Sequence, residues 1–447
     1  MDFKRQTFLI LGVSKSGYES GKFLLKNGAK CYIYEEKTSE KIEKAKSELI
    51  KLGAIETAKE GIDDALDGAD VVIISPGVPI NHEIAVKSKA AGKRLIGELE
   101  LGYESFTPLI VGVTGTNGKT TTVSLLNCIL NESGIKSELA GNVGVPLVSK
   151  RETADGETVF VTEVSSFQLE SVADFRPHIA CVLNISPDHL ERHYNMENYI
   201  FLKKRLLSNQ RESEYSVLNY DDAVVRGFYT ETKAKVKWVS VREEVDGAYL
   251  KDGELYYGKE PIISEKELPI KGEHNVYNTL FAIACAKLLK AETDKIRKAI
   301  TEFKGVPYRL ETVAEKSGIK FVNDSKSTNT AATITAIKST VIPTVLILGG
   351  SEKGEKYDRL FAEIKNSAVK HAVLTGASRR NMLSAADESG FSDITVCEDF
   401  DVAVKIARLI AKDGEEVLLS PACASFDKFS GYEERGERFN KIVEGLS

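Results

Sequence analysis

Short apolar runs recur along the chain, separated by stretches in which apolar residues return every three or four positions. Runs bounded by Gly, Pro, Asn and Ser read as buried strands. The longer periodic stretches read as helices with one face in a core. Over residues 1–98 the pattern predicts strands at 7–13, 31–34 and 71–75 and a helix at 18–27. Over 99–305 it predicts strands at 109–113, 158–163, 179–184, 215–219 and 236–241, helices at 120–132, 196–208 and 273–289, and a hairpin at 249–257 around Asp252-Gly253. Over 306–447 it predicts strands at 320–322, 344–348, 372–374, 394–396 and 416–419 and a final helix at 433–444. The alternation of strand and helix predicts an α/β protein of three domains, each a mostly parallel sheet flanked by helices.

The most informative stretch is Ile110-Val111-Gly112-Val113-Thr114-Gly115-Thr116-Asn117-Gly118-Lys119-Thr120-Thr121-Thr122. An apolar strand runs into a Gly-rich turn, and the turn into a helix with Val123, Leu125, Leu126, Ile129 and Leu130 on its apolar face. Such a turn aims backbone N–H groups and the positive end of a helix at an anion. Gly115 and Gly118 admit a phosphate without a Cβ in the way. Lys119 is placed to reach the β- and γ-phosphates, and the Thr120 hydroxyl to sit on Mg²⁺. The strict phosphate-loop pattern wants Gly where the chain has Val113, so an ordinary tight turn also accounts for these residues alone. The first turn, Gly12 to Gly17, has dinucleotide spacing with Ser14 in place of the middle Gly. Ser14, Lys15 and Ser16 either cap the following helix without a ligand or help it hold an anion. Glu35 and Glu36 end the second strand, where an acid would read a ribose. Ser75-Pro76-Gly77-Val78-Pro79 is a rigid turn at a strand's C-terminal edge, where open α/β sheets bind ligands. Fixing the path of the chain explains it equally well.

Composition narrows the class. The 447 residues are too many for one core, and 42% hydrophobic with 28% charged residues is the balance of a globular protein. A net charge of −6 with mixed signs makes nucleic acid an unexpected partner. The sequence shows no membrane-spanning run, signal peptide or lipidation motif, so the expectation is a cytoplasmic monomer without a membrane partner. Cys31, Cys128, Cys181 and Cys285 lie in apolar runs and are expected to be buried thiols.

Further candidates sit at strand and helix ends. Glu163, opening Glu163-Val164-Ser165-Ser166-Phe167-Gln168-Leu169-Glu170, is either a Mg²⁺-binding acid beside the phosphate loop or a capping acid. His189, in Asn184-Ile185-Ser186-Pro187-Asp188-His189-Leu190-Glu191, is either a polar loop residue facing water or a ligand of a second metal at the same sheet edge. Gly272-Glu273-His274-Asn275-Val276-Tyr277-Asn278 opens a helix with a polar cap. Arg309 follows Tyr308, and an Arg there would clamp phosphate bidentately. Asp324-Ser325-Lys326-Ser327-Thr328-Asn329 follows a strand, Lys353 follows Gly349-Gly350, and Ser420 to Asp427 reads as a capped strand–helix turn.

In this order the segments resemble the motifs of the Mur ligase family, ATP-dependent amide-forming enzymes that include folylpolyglutamate synthases. The chain departs from the family pattern in Glu191 for Asp, Tyr308 for His and Ser327 for Ala. The resemblance runs from end to end. It implies Rossmann-like first and third domains around a central domain of the phosphate-loop ATPase type. It implies that Gly115, Thr116, Asn117, Gly118, Lys119, Thr120, Thr121, Asn275, Asn278, Arg309 and Asp324 hold ATP. Two Mg²⁺ ions would be held by Thr120, Glu163, His189 and Lys203, with Lys119, His189 and Lys203 catalytic. Lys203 alone reads as a solvated helix residue. Tyr199-x-x-x-Lys203, however, aligns with the family segment whose Lys carries a carbamate. The segments at 163–170 and 420–427 are closest to the branch that adds D-glutamate to UDP-N-acetylmuramoyl-L-alanine. That branch implies a uridine-diphosphate substrate on Ser14, Lys15, Ser16, Glu36, Lys37, Ser75, Gly77, Asn142, Ser165 and Gln168. It places D-glutamate on Lys326, Thr328, Lys353, Ser425 and Phe426. The rivals are another amide ligase of the family, such as a folylpolyglutamate synthase, a nicotinamide oxidoreductase suggested by the two Rossmann-like units, and a nucleotide-gated binding module.

Overall fold

The computed structural model of the chain describes residues 3–352 and 356–446. It falls into two compact units, Met1–Phe303 and Lys304–Ser447. The first unit carries two sheets. In the first sheet, β1 (Thr7–Leu11), β2 (Lys30–Tyr34), β3 (Ile55–Glu56), β4 (Val71–Ile74) and β5 (Arg94–Gly97) pair in the order β3-β2-β1-β4-β5, all parallel. Its central strands are apolar without alternation because both faces are covered. Phe8 and Ile10 pack with Leu24 and Ile33 on one face, and Leu9 and Leu11 with Ile62 and Leu66 on the other.

The second sheet has nine strands: β6 (Leu109–Thr114), β7 (Ser137–Gly141), β8 (Val159–Glu163), β9 (Ile179–Val182), β10 (Tyr215–Asn219), β11 (Lys235–Ser240), β12 (Gly247–Lys251), β13 (Glu254–Tyr257) and β14 (Glu260–Ser264). Their order is β14-β13-β12-β11-β10-β9-β6-β8-β7, parallel except for the β12-β13-β14 meander. The expected hairpin is β12–β13. Asp252 (φ 50°) and Gly253 (φ 78°) take the left-handed turn that two-residue hairpins need. Strand β14 is an addition to the sequence reading. The helix expected at 196–208 is α-helical only over Met196–Lys204 and tightens to a 3₁₀ turn at Arg205–Leu207.

The second unit holds β15 (Glu311–Lys316), β16 (Ile319–Asn323), β17 (Thr344–Gly349), β18 (Val369–Thr375), β19 (Ile394–Val396) and β20 (Glu416–Leu419) in the order β15-β16-β20-β17-β18-β19. Only β15 is antiparallel to its neighbour. Cys128 corrects one expectation: it is exposed, whereas Cys31, Cys181 and Cys285 are buried. The helix Lys119–Glu132 buries Val123, Leu125, Leu126, Ile129 and Leu130, and Cys128 falls on its outer side. No helix among the described residues is long and apolar enough to cross a membrane.

Glu98 opens the helix Glu98–Ser105 after β5 and is fully buried. One carboxyl oxygen accepts from Val148 N at 2.8 Å, and the other has no partner among the described residues. Burial pushes its pKa from 4.5 up to about 7. An unfolded Glu ionises near its ordinary value, so ionisation opposes folding. Stability from this group is present at low pH, falls as pH rises from about 4.5 to about 7, and stays low above. Glu98→Gln should therefore raise stability at pH 8 by about 1–3 kcal/mol and change it little at pH 4.5. Urea midpoints of the two proteins at both pH values check this.

Candidate active site

The strand β6 ends in a loop whose shape is set by residues just past the end of the neighbouring strand β9. Thr116 N donates to Asn184 O (2.9 Å), Asn117 N to Asn184 Oδ1 (2.8 Å) and Asn184 Nδ2 back to Asn117 O (3.0 Å). Ser186 N donates to Thr116 Oγ1, which also faces Tyr199 OH at 3.1 Å. Gly118 has φ 88°, and a Cβ there would lie 2.2 Å from Asn278 Oδ1. The helix begins at Lys119, so its first N–H groups have no intrahelical acceptor and face the loop. This is a cradle that side chains would fill and an anion fits.

Two lysines converge on one carbonyl. Lys119 Nζ donates to Gly115 O (2.8 Å) and Thr116 O (2.7 Å), and Lys203 Nζ donates to the same Gly115 O at 2.8 Å. Lys203 is 1% exposed and its ammonium lies 4.8 Å from the centre of the Tyr199 ring. Burial first, and the Lys119 charge second, push its pKa well below the ordinary value. Lys204, by contrast, pairs with Glu231 at the surface. Glu163, also buried, receives Thr120 Oγ1 on one oxygen and Asn142 Nδ2 on the other, both at 2.7 Å. Thr121 is buried behind the loop.

His189 stands at the rim with its side chain 41% exposed, its backbone left-handed (φ 54°) and its ring 4.8 Å from that of Phe167. Asp188 (3.5 Å) and Glu191 (3.6 Å) flank its two nitrogens. Four residues later His193 is buried, with Nε2 3.0 Å from Ser166 Oγ, and burial lowers its pKa to about 4, so it is neutral. Asn278 Nδ2 donates to Asn275 Oδ1, and Thr122 Oγ1 to Asn278 Oδ1, which ties the polar start of the helix Glu273–Leu288 to the loop helix. Sequence reasoning assigned no role to Asn184 or Asn142's partner geometry. The position of Asn184 at the end of the expected strand 179–184, two residues past the end of β9, was the available signal.

At the first sheet, the Ser14 hydroxyl makes no capping bond to the helix Lys15–Lys26, contrary to the capping expectation. The loop is held instead by Glu35, whose carboxylate accepts from Val13 N (2.8 Å) and Lys37 N (2.9 Å). Lys15 Nζ reaches Gly144 O at 2.7 Å, and the Ser16 carbonyl accepts from Ser20. Glu36 is paired with Tyr34 OH and His82. The Ser75 hydroxyl is buried on Gly12 O, while a Cβ at Gly77 would meet nothing within 4 Å. Ser165 and Gln168 form a reciprocal capping box: Ser165 N donates to Gln168 Oε1 (3.0 Å) and Gln168 N to Ser165 Oγ (3.3 Å).

In the second unit Asp324 is fully buried and its pKa rises to about 6 through burial. Ser420 Oγ and Ser327 Oγ both donate to Asp324 Oδ2, so the Ser327 departure adds a donor to a buried carboxyl. Arg309 Nε is buried without a partner among the described residues. The Tyr308 backbone is left-handed (φ 62°), and its ring covers Gly436, where a Cβ would meet Tyr308 Cδ1 at 2.4 Å. Lys326 Nζ lies over the Tyr432 ring, Thr328 N bonds Lys326 O, Ser425 is buried and Phe426 is 68% exposed. Lys353 lies outside the described residues.

A Mur ligase middle domain pattern matches residues 113–286, and a Mur ligase glutamate ligase domain pattern matches 308–423. The chain is 41% identical to the UDP-N-acetylmuramoylalanine--D-glutamate ligase of Caldanaerobacter subterraneus subsp. tengcongensis, and 39% identical to that of Clostridioides difficile. Each alignment covers all of both chains. Its fold is similar to that of MurF from Acinetobacter baumannii, with a TM-score of 0.64 at 16% identity over 93% of this chain and 91% of that one. With relatives this similar along its whole length, and the phosphate loop where the matched middle domain begins, the chain belongs to the Mur ligase family of ATP-dependent amide-forming ligases.

Proposed function

We propose that the chain joins D-glutamate to UDP-N-acetylmuramoyl-L-alanine at the expense of ATP, a cytoplasmic step in peptidoglycan precursor synthesis. The observation that carries the chemistry is the convergence of Lys119 and Lys203 on Gly115 O beside the Thr120–Glu163 pair. The names of the full-length relatives support the choice of amino acid. The L-alanyl carboxylate attacks the γ-phosphorus, ADP leaves, and an acyl phosphate forms. The D-glutamate amine then adds to the acyl carbon, and the tetrahedral adduct expels phosphate while the amine gives a proton to solvent.

The loop N–H groups and Lys119 meet the charge on the transferring phosphoryl group. Thr120, Glu163, His189 and Lys203 are the residues that would hold two Mg²⁺ ions. With Lys203 as its carbamate, three of the four offer oxygen, which suits a hard cation that neutralises phosphate charge. Asn275, Asn278, Arg309 and Asp324 are assigned to the nucleotide, and the unpartnered Arg309 Nε supports a missing acceptor there. The turns at Ser14–Ser16 and Ser75–Gly77, with Glu36, Lys37, Asn142, Ser165 and Gln168, are assigned to the uridine-diphosphate substrate. Lys326, Thr328, Lys353, Ser425 and Phe426 are assigned to D-glutamate.

Phosphate release from ATP with UDP-N-acetylmuramoyl-L-alanine and D-glutamate, L-glutamate or L-lysine tests this reading. Fixing both carboxylates leaves one enantiomer's amine near the acyl carbon, so L-glutamate should be slower by about 10² or more. Comparable rates with both enantiomers, or a preference for L-lysine, would move the chain to another branch of the family.

A further inference from the structure

Arg192 joins two parts of the first unit that are far apart in sequence. It lies in the short helix Leu190–His193, three residues after His189. Its Nε donates to Glu170 Oε1 (3.0 Å) and its Nη2 to Glu170 Oε2 (2.6 Å), a two-bond fork. The same Nη2 donates to Val78 O at 3.0 Å and Pro76 O at 3.4 Å. The guanidinium lies 5.2 Å from the centre of the Phe167 ring. Glu170 in turn lies 3.4 Å from His193 Nδ1.

The carbonyls that Arg192 takes belong to the Ser75–Val78 turn after β4. The far side of that turn is closed by Gly12: Ser75 Oγ donates to Gly12 O at 2.7 Å, and a Cβ on Gly12 would come within 2.9 Å of Val78 Cγ2. The turn is thus gripped from both sides, with open space around Gly77. Without Arg192, two carbonyls lose a charged donor, and the turn is left free to move on the side facing the His189 segment.

We propose that Arg192 is a positioning residue for the nucleotide-sugar substrate: it holds the Ser75–Val78 turn against the His189 segment before the substrate arrives. This rests on the function proposed above. A turn already in place does not have to be ordered on binding, and that lost freedom is what weakens ligand affinity when a loop is left loose. The effect belongs to one substrate, because the grip is on the first sheet's turn and not on the phosphate loop.

Steady-state kinetics of the full chain carrying Arg192→Ala or Arg192→Lys, with thermal unfolding of each, test it. Lys can pair with Glu170 as a point charge but cannot hold the carboxylate fork and the Val78 carbonyl together. Both variants should raise KM for UDP-N-acetylmuramoyl-L-alanine by about tenfold or more while KM for ATP stays within about twofold. Arg192→Lys should unfold near the wild-type temperature, which separates the effect from loss of stability. If Arg192→Ala does not fold, Arg192→Lys carries the same comparison. An unchanged KM for the nucleotide sugar in a folded variant, or an equal rise in all three substrate KM values, overturns the proposal alone. A wild-type chain that neither turns over nor binds the nucleotide sugar by calorimetry overturns the proposed function, and this proposal with it.

Discussion

Lys119→Ala is expected to lower the rate of phosphate release by about 10³ or more while the protein stays folded. The ammonium closes the loop on Gly115 O and Thr116 O, and in turnover it meets charge that grows as the γ-phosphoryl group transfers. A preorganised cation in such a place contributes roughly 4 kcal/mol to the barrier. The two loop bonds from its ammonium are worth about 1.5–3 kcal/mol each in net stability, partly offset by relief of its repulsion of Lys203, so the unfolding temperature should fall by only a few degrees. Rates of phosphate release and the unfolding temperature of the variant decide the matter. Near-normal release by a folded Lys119→Ala protein would remove the phosphate-loop assignment.

Loss of most activity is also expected for Lys203→Ala, with partial recovery in added acetate. Burial disfavours the charge on Lys203, and the Lys119 ammonium sharing the Gly115 carbonyl disfavours it further. Both favour the neutral amine, the form that reacts with CO₂. A carbamate formed there would keep an N–H for Gly115 O, release a proton and add an oxygen donor suited to Mg²⁺. ¹³C-bicarbonate NMR should show a carbamate signal in the wild type and lose it in Lys203→Ala. Lys204→Ala should keep near-normal activity, because Lys204 pairs with Glu231 away from the loop. The reverse pattern, with Lys204→Ala inactive and Lys203→Ala active, would mean that the helix has been aligned by the wrong lysine.

The strand–turn–helix at 109–132 was legible because its signal is local: an apolar strand, glycines at the turn and a helix follow one another within one stretch. The most apolar parallel strands were legible for the same reason, whereas the short or partly polar parallel strands β3, β5 and β7 were not. Nor were the edge strands β14 and β15. Strand β14 carries Pro261, and β15 is a polar segment, Glu311 to Lys316, of which no residue is buried. Such edges carry little hydrophobic pattern. Ser14 looked like a cap, yet the turn is shaped by Glu35, an acid 22 residues from the Val13 N–H it accepts. Arg192 was invisible for a related reason: two of its acceptors are backbone carbonyls more than a hundred residues earlier, and carbonyls have no sequence identity. Lys203 gave no sign of burial in a helix that also holds Lys204 and Arg205. Its isolation depends on Tyr199 and the loop folding over it.

The contact between Gly118 and Asn278 also limits how this protein can change over generations. A side chain at 118 collides with the Asn278 amide and must also accept a left-handed backbone. A lineage therefore cannot replace Gly118 first. The amide at 278 has to shorten beforehand, and even then only a residue at ease with positive φ, such as Asn, can follow. Shortening Asn278 in turn gives up its bonds to Thr122 and Asn275. The two positions, 160 residues apart, form a ratchet in which one order of steps is closed and the other begins with a loss.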